Sequence, residues 1–284
     1  ILASQDPEQG MFVYLMSLKP GHFKTYSTPE NSFWCCVGTG MENHSKYGDT
    51  IYFHNDNSLF VNLFIPSELS WPEKNLVVRQ ETKFPESDTT LLEFHSPTPT
   101  QLALKIRWPA WAEKISVHVD GKKQKILGAP GSYVSLDREW QDGDRVEIRL
   151  PMTLHAEPLL GTSNIVAVLY GPIVLAGNLG TNGMPDPYAK DQLDLVKISD
   201  PEVPVFVGDP KTFLKKIKPT DQPLVFQTKN LGQPNDVTLV PFYKANHERY
   251  SVYWNLVSAA DWKNNPAQIS AAGDKLLQTA LNDN

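Results

Sequence analysis

The stretch IYFHNDNSLFVNLFI, residues 51–65, places two short apolar runs on either side of a polar turn. Short runs of this kind are typical of β-strands, because β-branched and aromatic side chains pack well on a pleated surface. Turn signals such as Asp120-Gly121 separate later runs. Those runs lie at 76–80, 90–95, 102–106, 115–119, 132–136, 146–150, 165–170 and 173–176. The pattern predicts a β-sandwich over residues 49–178.

Beyond residue 178 the composition changes to that of a linker. Two glycines and two prolines fall between residues 180 and 187, and they predict a linker over 179–200. A second series of β runs begins at residue 203 and ends at residue 254. We therefore predict a smaller β domain over 201–284 with a polar C-terminal tail.

The charge of the chain excludes one class of partner. The 284 residues carry a formal net charge of −6, and the sequence pI is about 5.7. A nucleic-acid-binding surface needs clustered Lys and Arg, but the densest basic cluster is only Lys215, Lys216 and Lys218. Nucleic acid is therefore not an expected partner. No apolar run approaches the ~20 residues of a membrane-spanning helix, so no membrane span is expected.

The two cysteines of the chain are adjacent, at Cys35 and Cys36. Neighbouring cysteines rarely bridge each other, because the disulfide would strain the peptide between them. A disulfide framework is therefore excluded. Two thiols side by side indicate metal ligation or reactivity, whereas the alternative is a pair of small buried apolar side chains. The spacing alone leaves both interpretations open.

Two segments around the cysteines carry a recognisable motif. They read PGHFKTYST at residues 20–28 and SFWCCVGTGMEN at residues 32–43. Together they resemble the β-L-arabinofuranosidases of glycoside hydrolase families 127 and 146. The resemblance implies a mainly β fold, in which β-sandwich domains follow a short remnant of an (α/α)6 catalytic barrel at residues 1–48. It continues to about residue 255 through RWPAW at 107–111, WQDGD at 140–144, LPM at 150–152, VPFY at 240–243 and ERYSVYW at 248–254.

The resemblance assigns the chemistry to the cysteine pair. It implies that Cys35 is the nucleophile of a retaining hydrolase, which attacks the anomeric carbon of an L-arabinofuranose and forms a thioglycosyl intermediate. It also implies that Cys35 and Cys36 are two of four zinc ligands, since ligation by zinc lowers the pKa of a thiol. The expected substrate is a plant polysaccharide or oligosaccharide that contains arabinose.

Three further residues near the motif are candidates. Tyr14 stands where the family has a substrate-facing tyrosine, and His22 is a second candidate sugar contact, with a structural role as the alternative for each. Glu42 lies on a short helix predicted over 36–47, and it is either a general acid or, as we favour, a solvated or capping carboxylate. Three tryptophans either stack on sugar or pack in the sandwich core, and we expect burial of Trp108, Trp111 and Trp140.

One element of the family pattern is missing before Cys35. The other two zinc ligands of the family form a Glu-x-Cys pair, but here Glu8 is followed by Gln9-Gly10. The acid/base Glu is not matched either, so we expect this chain by itself to be inactive. The alternative function is a non-catalytic β-sandwich accessory or carbohydrate-binding module. We expect a periplasmic or extracellular location, with the cytoplasm as the alternative and any signal peptide upstream of Ile1.

Overall fold

The computed structural model describes residues 2–30, 32, 34–188 and 202–264. The chain forms two compact units. One is continuous and comprises His44–Thr153, and the other combines Ile1–Asn43 with Leu154–Asn284. Each unit has its own sheet structure and its own hydrophobic core. Most of the predicted linker, from residue 189, and the polar tail after residue 264 lie outside the described residues.

The continuous unit contains ten strands in two sheets. The first sheet has the strand order β1-β2-β6-β9, and the second has the order β3-β4-β5-β10-β7-β8. A 3₁₀ turn at Pro72–Lys74 precedes β4. The strands are β1 (Tyr52–Asn55), β2 (Ser58–Val61), β3 (Ser67–Trp71), β4 (Leu76–Thr82), β5 (Thr89–His95), β6 (Thr100–Trp108), β7 (Ser116–Val119), β8 (Lys122–Lys123), β9 (Ser132–Trp140) and β10 (Arg145–Arg149).

A single core between the two sheets makes this unit a sandwich. Along β6, buried residues alternate with residues that face solvent, as a half-buried strand requires. Leu102, Leu104 and Ile106 point inward and join side chains from the other sheet in one cluster. Each such side chain, when fully buried, contributes roughly 1.5–3 kcal/mol. Phe94 of β5 stacks on Trp140 of β9 with ring centroids 4.3 Å apart, which joins the two sheets directly.

The tryptophans of the sandwich are core residues. Trp140 is fully buried, and its Nε1 donates a hydrogen bond to the carbonyl oxygen of Leu102 at 3.1 Å. Trp108 is also buried and donates to the carbonyl oxygen of Ala112 at 2.7 Å. Trp111 is partly buried against the same core. The expected burial is confirmed for Trp108 and Trp140, so these rings do not form a sugar-stacking surface.

The discontinuous unit contains one large sheet and two short helices. Its strands follow the order β15-β16-β18-β13-β12-β20-β14-β17, with β11 paired to β12 and β19 paired to β13. Further 3₁₀ turns lie at Phe213–Lys216 and Phe242–Lys244. The elements are α1 (Cys35–His44), β11 (Leu154–Pro158), β12 (Ile165–Tyr170), β13 (Ile173–Asn178), β14 (Val205–Val207), β15 (Ile217–Pro219), β16 (Phe226–Thr228), β17 (Gly232–Gln233), β18 (Thr238–Pro241), β19 (Tyr250–Ser251), β20 (Tyr253–Val257) and α2 (Ala259–Asn264).

The domain division differs from the one expected at residue 178. Strands β11 to β13 do not complete the first sandwich, because β12 pairs with β20 and β13 pairs with β18. Their side chains enter a second core, in which Phe206 stacks on Trp254 at 4.4 Å. The first sandwich therefore ends at residue 153, and residues 154–178 belong with the strands that follow residue 205.

The predicted fold class is confirmed: the chain is mainly β, with few helices. Residues 1–48 contribute α1 and several isolated bridges instead of regular strands. Within the described residues, no helix is long and apolar enough to cross a membrane.

Candidate functional site

The two cysteines lie in the first turn of α1. Both are free thiols; Cys35 is exposed and Cys36 is half-buried. Their Sγ atoms are 3.9 Å apart, far beyond the ~2.05 Å of a disulfide bond. Both thiols therefore lie at the N-terminal end of the helix and are not bonded to each other.

Packing below the cysteines fixes the position of α1. Phe12, Trp34 and Val37 form a small buried cluster under the first turns of the helix. Gly40 lies against the ring of Phe12, and a Cβ atom at this position would come within 2.5 Å of Phe12 Cε1. Glycine at position 40 therefore lets the helix approach the N-terminal segment closely.

Tyr14 lies beside the cysteine pair. Its carbonyl oxygen is 3.6 Å from Cys36 Sγ, which donates to it. Its ring packs edge-on against Trp34, with centroids 5.8 Å apart and an interplanar angle of 75°. The ring is 38% exposed, so the predicted substrate-facing tyrosine is adjacent to the thiols and open to solvent.

His22 makes contacts of a structural kind. Its Nδ1 is 2.9 Å from the carbonyl oxygen of Phe23, and its ring stacks on Phe23 at 5.0 Å. Its carbonyl oxygen accepts a hydrogen bond from the backbone N–H of Tyr250 at 2.8 Å. None of these contacts involves the cysteines, whereas Tyr14 does touch Cys36.

Glu42 is on the same helix as the cysteines but lies farther along it. It is exposed and follows Cys35 by seven positions, a displacement of about 10 Å along the helix axis. That displacement along the helix favours the solvated or capping carboxylate that we expected over a general acid.

The electrostatic setting differs between the two thiols. Burial raises the pKa of Cys36, and the neighbouring Cys35 thiol raises it further. Cys35 is the more accessible of the two. Since both thiols lie in the first turn of α1, accessibility is what sets Cys35 apart from Cys36.

The spacing of the thiols fits part of a zinc site. Two thiolates bound to one tetrahedral zinc at about 2.3 Å each lie about 3.8 Å apart, close to the 3.9 Å between these Sγ atoms. A structural or catalytic zinc needs at least three protein ligands. In the part of the chain that the structure describes, no three His, Cys, Asp or Glu side chains are grouped to hold a metal. The pair therefore fits two ligand positions and leaves the others open.

A buried polar network connects the N-terminal segment to the C-terminal part of the same unit. No sequence pattern predicted this network. Asp6 is fully buried, and its carboxylate accepts hydrogen bonds from Tyr188 Oη at 2.6 Å and from His247 Nε2 at 2.9 Å. Burial acts to raise the pKa of Asp6, but these hydrogen bonds and that from the Glu8 backbone outweigh it and lower the pKa.

Lys24 forms a second part of this network. Its Nζ donates to the carbonyl oxygen of Phe242 and to Asn246 Oδ1, each at 3.0 Å. Tyr26 Oη donates to the same Asn246 oxygen at 2.7 Å. Burial lowers the pKa of Lys24 to about 8, against the opposing charge of Glu248, whose own pKa burial raises to about 7.

Arg249 completes the network with its guanidinium group. The group is buried and donates to the carbonyl oxygens of Gly21, Asn182 and Gly183 at 2.8–2.9 Å. Lys24 lies in the motif PGHFKTYST, and Arg249 lies in the motif ERYSVYW. The sequence offers no signal that the two motifs meet, because the pairing joins residues more than two hundred positions apart.

Comparison with family models divides the chain in three. The model "Beta-L-arabinofuranosidase, GH127 catalytic domain" matches residues 1–49, and the model "Beta-L-arabinofuranosidase, GH127 middle domain" matches residues 58–152. A domain of unknown function, DUF4986, matches residues 155–256. The middle-domain match ends at residue 152 and the DUF4986 match begins at residue 155, which agrees with the structural division after residue 153.

Solved structures share the fold. A GH127 β-L-arabinofuranosidase from Geobacillus stearothermophilus T6 is 18% identical, with a TM-score of 0.66, over 90% of this chain and 44% of its own. A structure described as a GH127 β-arabinofuranosidase has a TM-score of 0.68 at 18% identity, over 90% of this chain and 44% of its own. A third structure, described as a glycoside hydrolase, has a TM-score of 0.67 at 17% identity, over 90% of this chain and 46% of its own.

The chain thus spans less than half the length of these structures. A search of curated proteins found no significant match. The two family-127 models together cover the cysteine segment and strands β2 to β10 of the first sandwich. The chain belongs to glycoside hydrolase family 127, the family of the β-L-arabinofuranosidases.

Proposed function

We propose that this chain supplies the nucleophile segment of a retaining β-L-arabinofuranosidase, with Cys35 as the nucleophile. One observation carries the proposal: the segment that matches the family's catalytic domain holds an exposed thiol in the first turn of α1, next to an open tyrosine ring. Tyr14 would contact the bound sugar. His22, which is engaged with Phe23 and Tyr250, is the weaker candidate for such a contact.

The proposed reaction has two displacement steps. The Cys35 thiolate attacks the anomeric carbon of an L-arabinofuranose, a C–S bond forms and the glycosidic C–O bond breaks. A general acid gives its proton to the leaving oxygen. Water then attacks the same carbon and gives a proton to the conjugate base of that acid, while the C–S bond breaks and the thiolate is restored. The configuration at the anomeric carbon is therefore retained.

We propose that Cys35 and Cys36 occupy two positions of a zinc site. Their Sγ–Sγ distance of 3.9 Å supports this assignment. When bound, zinc would stabilise the thiolate form of Cys35 at neutral pH. The remaining ligands and the general acid would come from the part of the catalytic domain that this chain does not match.

The proposed substrate is an arabinose-containing plant oligosaccharide or polysaccharide. The two matching GH127 models are those of β-L-arabinofuranosidases, and two similar structures are arabinofuranosidases, which supports this class of sugar. Plant polysaccharides are encountered outside the cell, so we propose a periplasmic or extracellular location.

A covalent trap tests the nucleophile in the polypeptide that carries the complete catalytic domain. A mechanism-based arabinofuranose analogue with an electrophilic centre should label Cys35, as located by intact mass and peptide mapping. Cys35→Ser should abolish turnover and labelling, whereas Cys36→Ser should lower activity together with the zinc content. An adduct on Cys36, or on a carboxylate with both thiols unmodified, would contradict the assignment.

The 284-residue chain itself provides a second test. It should release no nitrophenol above background from aryl α- or β-L-arabinofuranosides. General acid catalysis supplies typically ~10²–10⁴-fold in rate, and its residue is not matched in this chain. Robust turnover would show that the acid lies within these residues.

A further inference from the structure

The outer face of the four-stranded sheet of the first sandwich is open and chemically mixed. Leu59 and Val61 of β2 point into the core, as do alternate residues of β6 and β9, so the other residues of these strands share the opposite face. The register places Phe53, Phe60, Lys105 and Ser135 side by side in one row across the four strands. We call this surface, with its neighbouring rows, the outer face.

The next row of the outer face contains a depression. Here Ser58 pairs with Ala103, which pairs with Asp137. The small side chains of Ser58 and Ala103 therefore leave a gap between the longer side chains of Gln101 and Lys105. The resulting cavity has a volume of about 560 Å³ and is lined by these residues. That volume lies within the roughly 300–1,000 Å³ of typical small-molecule sites.

Aromatic rings lie on the outer face beside the depression, with Phe53 and Phe60 in the row of Lys105 and Tyr133 in the row of Arg107. Phe53 is 46% exposed and Tyr133 is 39% exposed. Tyr133 stands edge-on to Phe60 at 5.5 Å, and its Oη donates to Asn62 Oδ1 at 2.8 Å. Lys105 Nζ lies 5.2 Å from the centroid of the Phe60 ring. These contacts hold the rings in fixed orientations.

The polar groups of the outer face are also ordered, and their charges balance. Gln101 Nε2 donates to Asp137 Oδ1 at 2.8 Å, which fixes both side chains at the edge of the depression. The outer face carries Lys105 and Arg107 on β6 and Asp137 and Glu139 on β9, in different rows of the register. Two cations against two anions favour an uncharged ligand over a polyanion such as a nucleic acid or an acidic glycan.

We propose that the outer face binds a neutral, arabinose-containing oligosaccharide. A sugar ring presents apolar C–H groups on its faces and hydroxyl groups around its edge. Exposed aromatic rings match the C–H groups, and fixed amide, carboxylate and ammonium groups match the hydroxyls. The identity of the sugar rests on the proposed function, whereas the binding itself rests on the outer face alone.

The experiment titrates the isotope-labelled 284-residue chain with arabinopentaose and follows the backbone amide spectrum. Oligogalacturonate of the same length serves as the acidic probe. Ala103→Gln fills the depression without removing a polar group, and Tyr133→Ala removes one exposed ring of the outer face. Tyr47→Ala is the matched control, since Tyr47 is an exposed aromatic residue outside the outer face. A thermal melt of each variant establishes that it is folded.

Arabinopentaose should shift the amides of β2, β6 and β9. The dissociation constant should rise about tenfold or more in Ala103→Gln and Tyr133→Ala, as for the loss of a central contact, and should not change in Tyr47→Ala. Failure to bind, stronger binding of oligogalacturonate, or binding that survives Ala103→Gln would overturn the proposal. The covalent trap on Cys35 is independent: if it fails while arabinopentaose binds here, the proposed function falls and the outer-face site stands.

Discussion

Asp6 Oδ1 lies 2.9 Å from His247 Nε2, and this hydrogen bond joins residues that are 241 positions apart. The Asp6 side chain is fully buried, and the ring of His247 also packs against Tyr26 at 5.4 Å. The segment that leads to the cysteine helix is therefore attached to the loop before β19. The position of the candidate nucleophile therefore depends on the region that matches DUF4986.

Removal of the Asp6 carboxylate should destabilise the discontinuous unit. Asp6→Ala leaves the Tyr188 hydroxyl and the His247 ring without their acceptor, and a loss of about 2–4 kcal/mol in the free energy of unfolding is expected. Urea denaturation measures the change. Glu8→Ala is the control, because Glu8 is exposed and contributes its backbone N–H instead of its carboxylate. Equal losses in the two variants would contradict the role of the Asp6 carboxylate.

Glu248 should make the stability depend on pH. Burial raises its pKa from 4.5 to about 7 in the folded chain, so the folded state binds a proton that the unfolded state releases. The contribution is complete below pH 4.5 and is lost as the pH rises through 7. In Glu248→Gln this loss disappears. The free energy of unfolding of the wild type, relative to the variant, should fall by about 1–2 kcal/mol between pH 5 and pH 7.5.

Denaturant titrations at several pH values check this prediction. Glu73→Gln, at an exposed carboxylate, should parallel the wild type. A wild-type chain whose stability relative to Glu248→Gln rose with pH would show that the carboxylate is ionised when folded.

Lys24 acts in a higher pH range. Burial lowers its pKa from 10.5 to about 8, so its contribution to the free energy of unfolding is lost as the pH falls from 10.5 through 8.

Two glycines of α1 should respond to alanine in opposite ways. A Cβ at Gly40 would meet the buried ring of Phe12 at 2.5 Å, so Gly40→Ala should cost about 1–3 kcal/mol. A Cβ at Gly38 meets nothing within 4 Å, so Gly38→Ala should stabilise by up to about 1 kcal/mol through helix propensity. Thermal melts compare the variants. A neutral Gly40→Ala would mean that the helix does not pack on Phe12.

The two thiols should differ in reactivity toward iodoacetamide. Cys35 is exposed and Cys36 is half-buried, so Cys35 should be alkylated first in the chelator-treated chain. Fragment-ion mass spectrometry of the peptide that contains both residues gives the order of labelling. Cys35→Ser isolates the slower rate of Cys36. Faster labelling of Cys36 would reverse the assignment of the accessible thiol.

Local patterns were sufficient to predict the strands. The run at 102–106 became the central part of β6, because alternation between apolar and polar residues reflects one buried face. The helix predicted over 36–47 is α1, at Cys35–His44. The glycines and prolines after residue 178 indicated a domain boundary, but they mark a loop within one unit. The pairing of β12 with β20 is set by contacts that no local pattern contains.

The sequence predicted the residues at the cysteine pair but did not predict the buried network that joins the N-terminal segment to the rest of its unit. The adjacent cysteines and Tyr14 stood out in the motif, and the structure brings Tyr14 to Cys36 through a backbone carbonyl. The buried network was not predictable, because Lys24 and Arg249 look like ordinary surface charges in the sequence. Their partners are carbonyl oxygens and an asparagine, which become neighbours only when the chain folds.

The discontinuous unit also sets an order of events during synthesis. At roughly 5–20 residues per second, the ribosome needs about 12–48 s to advance from Asp6 to His247. The sandwich of residues 44–153 can close within that interval, because all of its strands emerge first. The nucleophile segment must wait with Asp6 and Tyr26 lacking their partners His247 and Asn246 until the last strands leave the exit tunnel. A nascent chain stalled before residue 246 should therefore be held by chaperones and be open to proteases at its N-terminal segment.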